Sequence, residues 1–290
     1  MATQTSTIGQ IENASREMIA KARFTEEHSA PMMNLVERFR LERGSDTLVV
    51  PKVAQMQMDP LIEGQDIVNE QDIGMKTVSV QPSEVGGVVV VTDRLLFQNT
   101  NEIFGMVGDQ LGDAMARRKD EDGVATFSGL NGGTDLAAAG RELTAINASR
   151  LANHAMNNKF GSKLRAVFHP GSIFRLSQDL NTLGNATPVA IPHGFTEDRL
   201  RDFWTGIKIS RIPFFETGNI TRTAGNDGQG AIFNKDAIGL LTSVGFNRER
   251  DRKPRKRAWE LVVTADYAFF EIDDSKGAPV LVDAADTATT

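Results

Sequence analysis

The stretch from Val88 to Gly133 constrains this chain more than any other. A short valine strand runs there into a helical section, Thr100 to Asn131, that ends in a glycine loop. Ile103, Phe104, Val107, Leu111, Ala114, Met115, Val124 and Phe127 fall mostly three or four residues apart, which keeps them on one face of an α-helix. Some thirty residues rising ~1.5 Å each would make a rod of roughly 45 Å. Such a rod exceeds what a compact enzyme core needs and suits a spine around which an extended subunit is built.

The rest of the composition sets limits on chemistry. Hydrophobic residues are 40% of 290, and with 26 glycines that is enough apolar material for one large domain or two medium ones. Cysteine is absent, so disulfides, thiol nucleophiles and cysteine-bound metals are excluded. No apolar run approaches the roughly eighteen residues of a membrane span, and the first residues show no basic region followed by an apolar core. The expectation is a soluble protein that folds in a cell interior. A net charge of −6 argues against a general nucleic-acid binder, which needs a basic face to neutralise phosphates.

Residues 8–24 read as an amphipathic helix. A second short helix is expected with Ser29 as cap, Pro31 in its first turn, Met32, Met33, Leu35, Val36 and Phe39 as its apolar face, and Gly44 as its end. The two either pack on their own domain or form an arm that lies on a neighbour. Thr47–Val53 and Met75–Gln81 read as strands around an acidic excursion. Across residues 51–86, six acids (Asp59, Glu63, Asp66, Glu70, Asp72, Glu84) face two bases, Lys52 and Lys76. So core-poor a hairpin cannot bury itself; it is either a surface loop or an arm ordered on another subunit.

Helices are expected at Ala145–Asn157, Gly171–Leu183 and Leu200–Trp204, and strands at Leu164–His169, Ile207–Phe215 and from Ala231. In Arg257–Ile272, the residues Trp259, Leu261, Val263, Ala265, Tyr267 and Phe269 alternate, giving one continuous apolar face on a long strand. The four histidines, His28, His154, His169 and His193, lack metal-ligand spacing, and neither a GxSxG elbow nor a P-loop occurs. Asp120, Glu121 and Asp122 form an acidic run that reads as a solvated helix face. No catalytic, cofactor-binding or metal-binding residue is assigned, and an enzyme is not expected.

The order of these elements resembles the tailed-bacteriophage major capsid proteins, whose fold is shared with encapsulins and herpesvirus capsid floors. The phrases that carry the resemblance are VVVTDRLLFQNTNEIFGMVGDQLGDAMARRKDEDGV, AVFHPGSIFRLSQDL, AIFNKDAIGLLTS and WELVVTADYAFFEIDDSKGAPVL, in that order along nearly the whole chain. The resemblance implies an α+β capsid fold in five parts. Residues 1–44 would be an N-terminal arm, 45–90 an extended β-hairpin loop, 91–135 with 246–275 a peripheral domain, 136–245 an axial domain, and 276–290 a tail. It implies a structural protein that assembles into hexamers and pentamers around double-stranded DNA, in a virion built in the host cytoplasm, with no cofactor and no membrane. The implied partners are other copies of itself, a portal, decoration proteins and, if scaffolding is used, a separate scaffolding protein. An encapsulin-like compartment housing a cargo enzyme shares the fold; a stand-alone α+β enzyme finds no support among the histidines and nucleophiles.

A basic tract precedes the aromatic strand. Arg248, Arg250, Arg252, Lys253, Arg255, Lys256 and Arg257 place seven cations in ten residues. The tract reads as a solvated hairpin turn broken by Pro254, as an unspecific nucleic-acid patch without aromatics for base stacking, or as an intersubunit contact. In the resembled family the extended loop of one subunit lies across its neighbour's peripheral domain. That implies a charge match between the tract and Asp59, Glu63, Asp66, Glu70 and Asp72.

Overall fold

The computed structural model describes residues 31–42, 44–52, 76–98, 103–133, 139–185 and 207–285. The helices expected at 8–24 and 200–204, the interior of the acidic excursion and His28 and His193 lie outside these residues. The N-terminal half comprises α1 (Met32–Leu35), β1 (Glu37–Arg40), β2 (Leu48–Lys52), β3 (Lys76–Val80), β4 (Ser83–Thr92), α2 (Asp93–Gln98) and α3 (Ile103–Ala125). Next come α4 (Ala145–Asn157), β5 (Leu164–Phe168), α5 (Pro170–Asn185), β6 (Lys208–Ile209) and β7 (Ile212–Glu216). The chain closes with β8 (Asp227–Asn234), β9 (Ile238–Lys253), β10 (Ala258–Glu271) and β11 (Gly277–Asp283).

β10 runs the length of α3, and the alternation in its sequence is the reason. Trp259 meets Phe104 edge-on at 6.4 Å, while eight residues on, the Tyr267 hydroxyl donates to Asp122 at 2.7 Å. Eight strand residues at ~3.3 Å and eighteen helical residues at ~1.5 Å both cover about 27 Å, so strand and helix stay in step. Val263, Ala265 and Tyr267 are buried against Met115 on this face. Burial, then the Asp122 carboxylate, push the Tyr267 phenol well above its usual range. On the opposite face of the strand, Ala268, Phe270 and Ile272 pack with Phe39, Leu48, Val50, Val78 and Val80. The paired strands β2 and β3 therefore sit on the far side of the sheet from the helix.

The first sheet has the order β1-β9-β10-β4, with β1 parallel to β9 and the other pairs antiparallel. The second has the order β11-β8-β5-β7-β6, with β5 parallel to β7. α4 and α5 cover it: Leu151, Ala152, Ala155 and Leu176 bury against Phe168, Ile212 and Val280. The two sheets share a core. Val167, Ala231 and Phe233 of the second pack with Phe127, Leu240 and Val263, and the rings of Phe127 and Phe233 lie 5.6 Å apart.

Four expectations need correction. The second helix is only Met32–Leu35; Val36 is already extended, and β1 pairs with Gly239–Thr242. Arg38 donates back to the Met33 carbonyl at 2.8 Å, taking an acceptor that a longer helix would use. The spine helix stops at Ala125 and passes into a 3-10 turn, Thr126–Gly129, because the Thr126 and Ser128 hydroxyls donate to the carbonyls of Gly123 and Ala125. The strand expected over 207–215 is a hairpin, β6–β7, turning at Ser210 and Arg211, both with positive φ. Asp120 is fully buried rather than solvated. It accepts from the Met32 amide at 3.0 Å, the Thr217 hydroxyl at 2.5 Å and the Asn219 amide group at 2.9 Å. Those donors come from two separate parts of the chain, α1 and the loop after β7.

The base of the β2–β3 pair is fastened by charge. Lys52 donates to Asp273 at 2.7 Å and lies 3.4 Å from Asp274, in the turn between β10 and β11. Burial pulls the Asp273 carboxyl upward, but the Lys52 and Ser275 hydrogen bonds and the charges of Lys52 and Lys276 outweigh it and hold the group below its usual value.

Candidate assembly surface

β9 is sixteen residues long and is paired along β10 to the end, but β1 covers its other edge only at Gly239–Thr242. Beyond Thr242 that edge has no strand partner among the described residues. Gly245 through Arg252 are all exposed. The ladder with β10 has a bulge opposite Thr264–Tyr267 and is regular from Asn247 to Lys253. The basic tract is thus the free end of a long hairpin, with Pro254–Lys256 as a 3-10 turn and Arg257 left-handed at its close.

Strand alternation sorts the charges by face. Phe246, Arg248, Arg250 and Arg252 share one face; Asn247, Glu249, Asp251 and Lys253 share the other. The arginine row lies over the first turns of the spine helix. The Arg248 guanidinium stands 4.9 Å over the Phe246 ring, and its Nη1 is 3.6 Å from where a Cβ on Gly108 would sit, so the bare helix surface leaves it room. Arg250 lies 4.6 Å from the Trp259 ring centre and 5.3 Å from that of Phe104. Arg252 is 5.1 Å from Trp259 and grips both oxygens of Asp93 at 2.8 Å. The tract has no aromatics of its own, yet the fold brings it the Phe104 ring from the spine helix and the Trp259 ring from the paired strand β10. Neither Asp93 nor Phe104 was readable as a partner, because the residues lie about 150 apart in sequence from those they meet.

The seven cations therefore divide. Arg252 is held by Asp93, Lys253 by Asp251 at 2.7 Å, and Lys256 by Glu260 at 3.1 Å. Arg248, Arg250, Arg255 and Arg257 have no carboxylate partner among the described residues. Asp59, Glu63, Asp66, Glu70 and Asp72 lie outside the described residues. Two large apolar side chains are also open to solvent at this end of the subunit's β4–α2 segment, Val88 at 59% and Phe97 at 90% exposure.

Little here suggests a reaction centre. His154 contacts the carbonyls of Gly132 and Gly133 and stacks edge-on to Phe160; the Gly171 amide donates to His169. Among the described residues no group of three or more histidines and carboxylates is arranged to hold a metal, and no helix is long and apolar enough to cross a membrane.

No protein-family profile matches the sequence, and no curated protein matches it. Solved structures do. Over 98% of its length the chain is similar to 97% of a chain from the capsid of the cyanophage P-SCSP1u, at 13% identity and a TM-score of 0.66. The chain has the tailed-phage major capsid fold. A chain from the capsid of Ralstonia phage GP4 matches 88% of it, with 89% of that chain covered, 12% identity and a TM-score of 0.64. The SrpI encapsulin of Synechococcus elongatus matches all of it, with 98% of that chain covered, 13% identity and a TM-score of 0.60.

Proposed function

We propose that this chain is the shell subunit of an icosahedral capsid, associating into hexamers and pentamers that enclose double-stranded DNA. The observation that carries the reading is the near-complete overlap, in both directions, with the capsid chain of a cyanophage. Exposed Phe97 and Val88, and the edge of β9 beyond Thr242 that has no strand partner among the described residues, are surfaces that a solitary protein normally covers. On this reading residues 1–44 are the arm and 45–90 the extended loop. Residues 91–135 with 246–275 are the peripheral domain, 136–245 the axial domain, and 276–290 the tail. The shell is assembled in the host cytoplasm, with a portal, decoration proteins and a separate scaffolding protein as possible partners, and it does no catalysis. Mild net acidity suits a container, because a strongly basic wall would hold the genome against itself.

The four arginines without a carboxylate at the hairpin tip are the receiving surface for the acidic residues 59–72 of a neighbouring subunit. Each exposed pair contributes on the order of 0.2–1 kcal/mol, so the effect comes from repetition over every interface of the shell. Replacing Arg248→Glu and Arg255→Glu together should leave the unfolding midpoint of the isolated subunit unchanged and lower the yield of closed particles severalfold. Arg252 is a poor choice for this purpose because its loss would strand Asp93. Undiminished particle yield from the double variant would refute the charge match.

The likeness to an encapsulin supports a second reading, a compartment for a protein cargo. Purified particles separate the two: protected double-stranded DNA indicates the virion, a stoichiometric protein guest indicates the compartment.

A further inference from the structure

Among the described residues the first sheet has a second open edge, at its other end. β4 is paired to β10 along Ser83–Thr92, and no strand lies beyond it. Its main chain bonds to β10 and to no other described segment. Charges or a proline commonly guard such an edge against unwanted pairing. From Val85 to Thr92, Val-Gly-Gly-Val-Val-Val-Val-Thr, β4 has neither, and Gly86, Gly87 and Val88 are exposed. Left open, a flat valine-rich edge invites aggregation, so a definite partner is expected.

The residues that flank the bare stretch name that partner. Glu84 stands at one end and Arg94 just past the other; both are exposed, and neither has an oppositely charged partner among the described residues. We propose that β4 pairs antiparallel with β4 of a second copy across a two-fold axis, joining two four-stranded sheets into one of eight strands. A two-fold axis perpendicular to the sheet keeps each face on its own side, so only residues of the same face can stand opposite one another. With the axis at Val89, Val88 faces Val90, Gly87 faces Val91, and each copy's Glu84 comes beside the other's Arg94. Moving the axis by one residue to Val88 sets Glu84 against Thr92 instead, and moving it to Val90 sets Gly86 against Arg94. The charges therefore select one register, while the main-chain bonds and the valines hold it. The same symmetry leaves both copies of α3 on one side of the joined sheet, as a wall with distinct inner and outer surfaces requires. Self-pairing of β9 along its open edge does not share this fit, because it would set arginine against arginine.

This inference rests on the shell reading and deepens it, since it names a two-fold contact between subunits. The test compares amide hydrogen exchange in assembled particles and in free monomers. Pairing slows every second amide between Gly86 and Thr92 by roughly tenfold or more on assembly, because N–H groups that faced water become bonded. The register is tested by charge exchange at two exposed positions. Glu84→Arg and Arg94→Glu should each lower particle yield severalfold, and the double variant should restore it. Because the chain has no cysteine, Val88→Cys chains can also be mixed with Val90→Cys chains. Mild oxidation should then join the two kinds of chain in particles and not in monomers. Particles whose β4 amides exchange as fast as in monomers would overturn the pairing while leaving the shell reading intact. A double charge variant no better than its parents would overturn the register. Failure of the wild-type chain to form particles under any condition would overturn both the pairing and the shell reading.

Discussion

Replacing Asp120→Ala should destabilise the isolated subunit by on the order of 3–5 kcal/mol, a large part of the ~5–15 kcal/mol by which domains are usually stable. The carboxylate is fully buried and accepts from the Met32 amide, the Thr217 hydroxyl and the Asn219 side chain. Alanine would leave those donors without an acceptor in a dry site and open a cavity beside the spine helix. Asp120→Asn keeps the volume but not the acceptor capacity. Its amide NH2 can still be met if the Thr217 hydroxyl rotates to accept from it, so a smaller loss, about 1–2 kcal/mol, is expected. The measurement is the denaturant midpoint of each variant. Equal midpoints for wild type and Asp120→Ala would mean that the spine helix is not pinned to α1 and the β7 loop in this way.

Phe233→Ala should be of similar size, about 3–5 kcal/mol, by the cost of an emptied aromatic site. Phe233 is fully buried on β8 and meets the Phe127 ring, which the 3-10 turn after the spine helix presents. Gly277 on β11 backs it closely: a Cβ there would stand 3.0 Å from the Phe233 Cβ and 2.9 Å from Leu130. This is the seam at which the two sheets share one core, so the variant should lose cooperativity as well as stability. In a Trp204→Phe background, unfolding followed by Trp259 emission and by far-ultraviolet dichroism should separate into two transitions. A single coincident transition at the wild-type midpoint would show that the seam does not couple the sheets.

What could be read from the sequence followed the strength of periodic signals. β10 was legible because its apolar residues alternate without a break, and the helix at Ala145–Asn157 was legible too; the structure adds its cap, the Thr144 hydroxyl, which accepts from the Asn147 amide. The outer half of β9 was not, since Arg-Glu-Arg-Asp-Arg-Lys has no apolar rhythm and its partner, β10, supplies the order. The turn at Ser210–Arg211 adopts a left-handed conformation without the glycine or asparagine that would announce it. Helix propensity over 32–39 yielded to tertiary pairing with β9. Asp120 was hidden by its neighbours: in a run of three acids, only the fold distinguishes the one turned inward from the two nearer water.

The same distinction applies to the tip of the hairpin. Composition located seven cations there, and the structure separates those satisfied within the chain from Arg248, Arg250, Arg255 and Arg257. Among the described residues, the second group has no carboxylate partner. The capsid fold came through because the order of spine, strand–helix pair and closing aromatic strand survives where identity has fallen to 13%.

The central claim is that this chain builds a closed shell from copies of itself. The most direct measurement is the mass of the purified wild-type chain by size-exclusion chromatography with light scattering, followed by negative-stain microscopy of each peak. The account predicts rings of five or six subunits, or closed particles, that increase with protein concentration. A mass of one chain at every concentration and salt condition, with no rings or shells in the images, would contradict it.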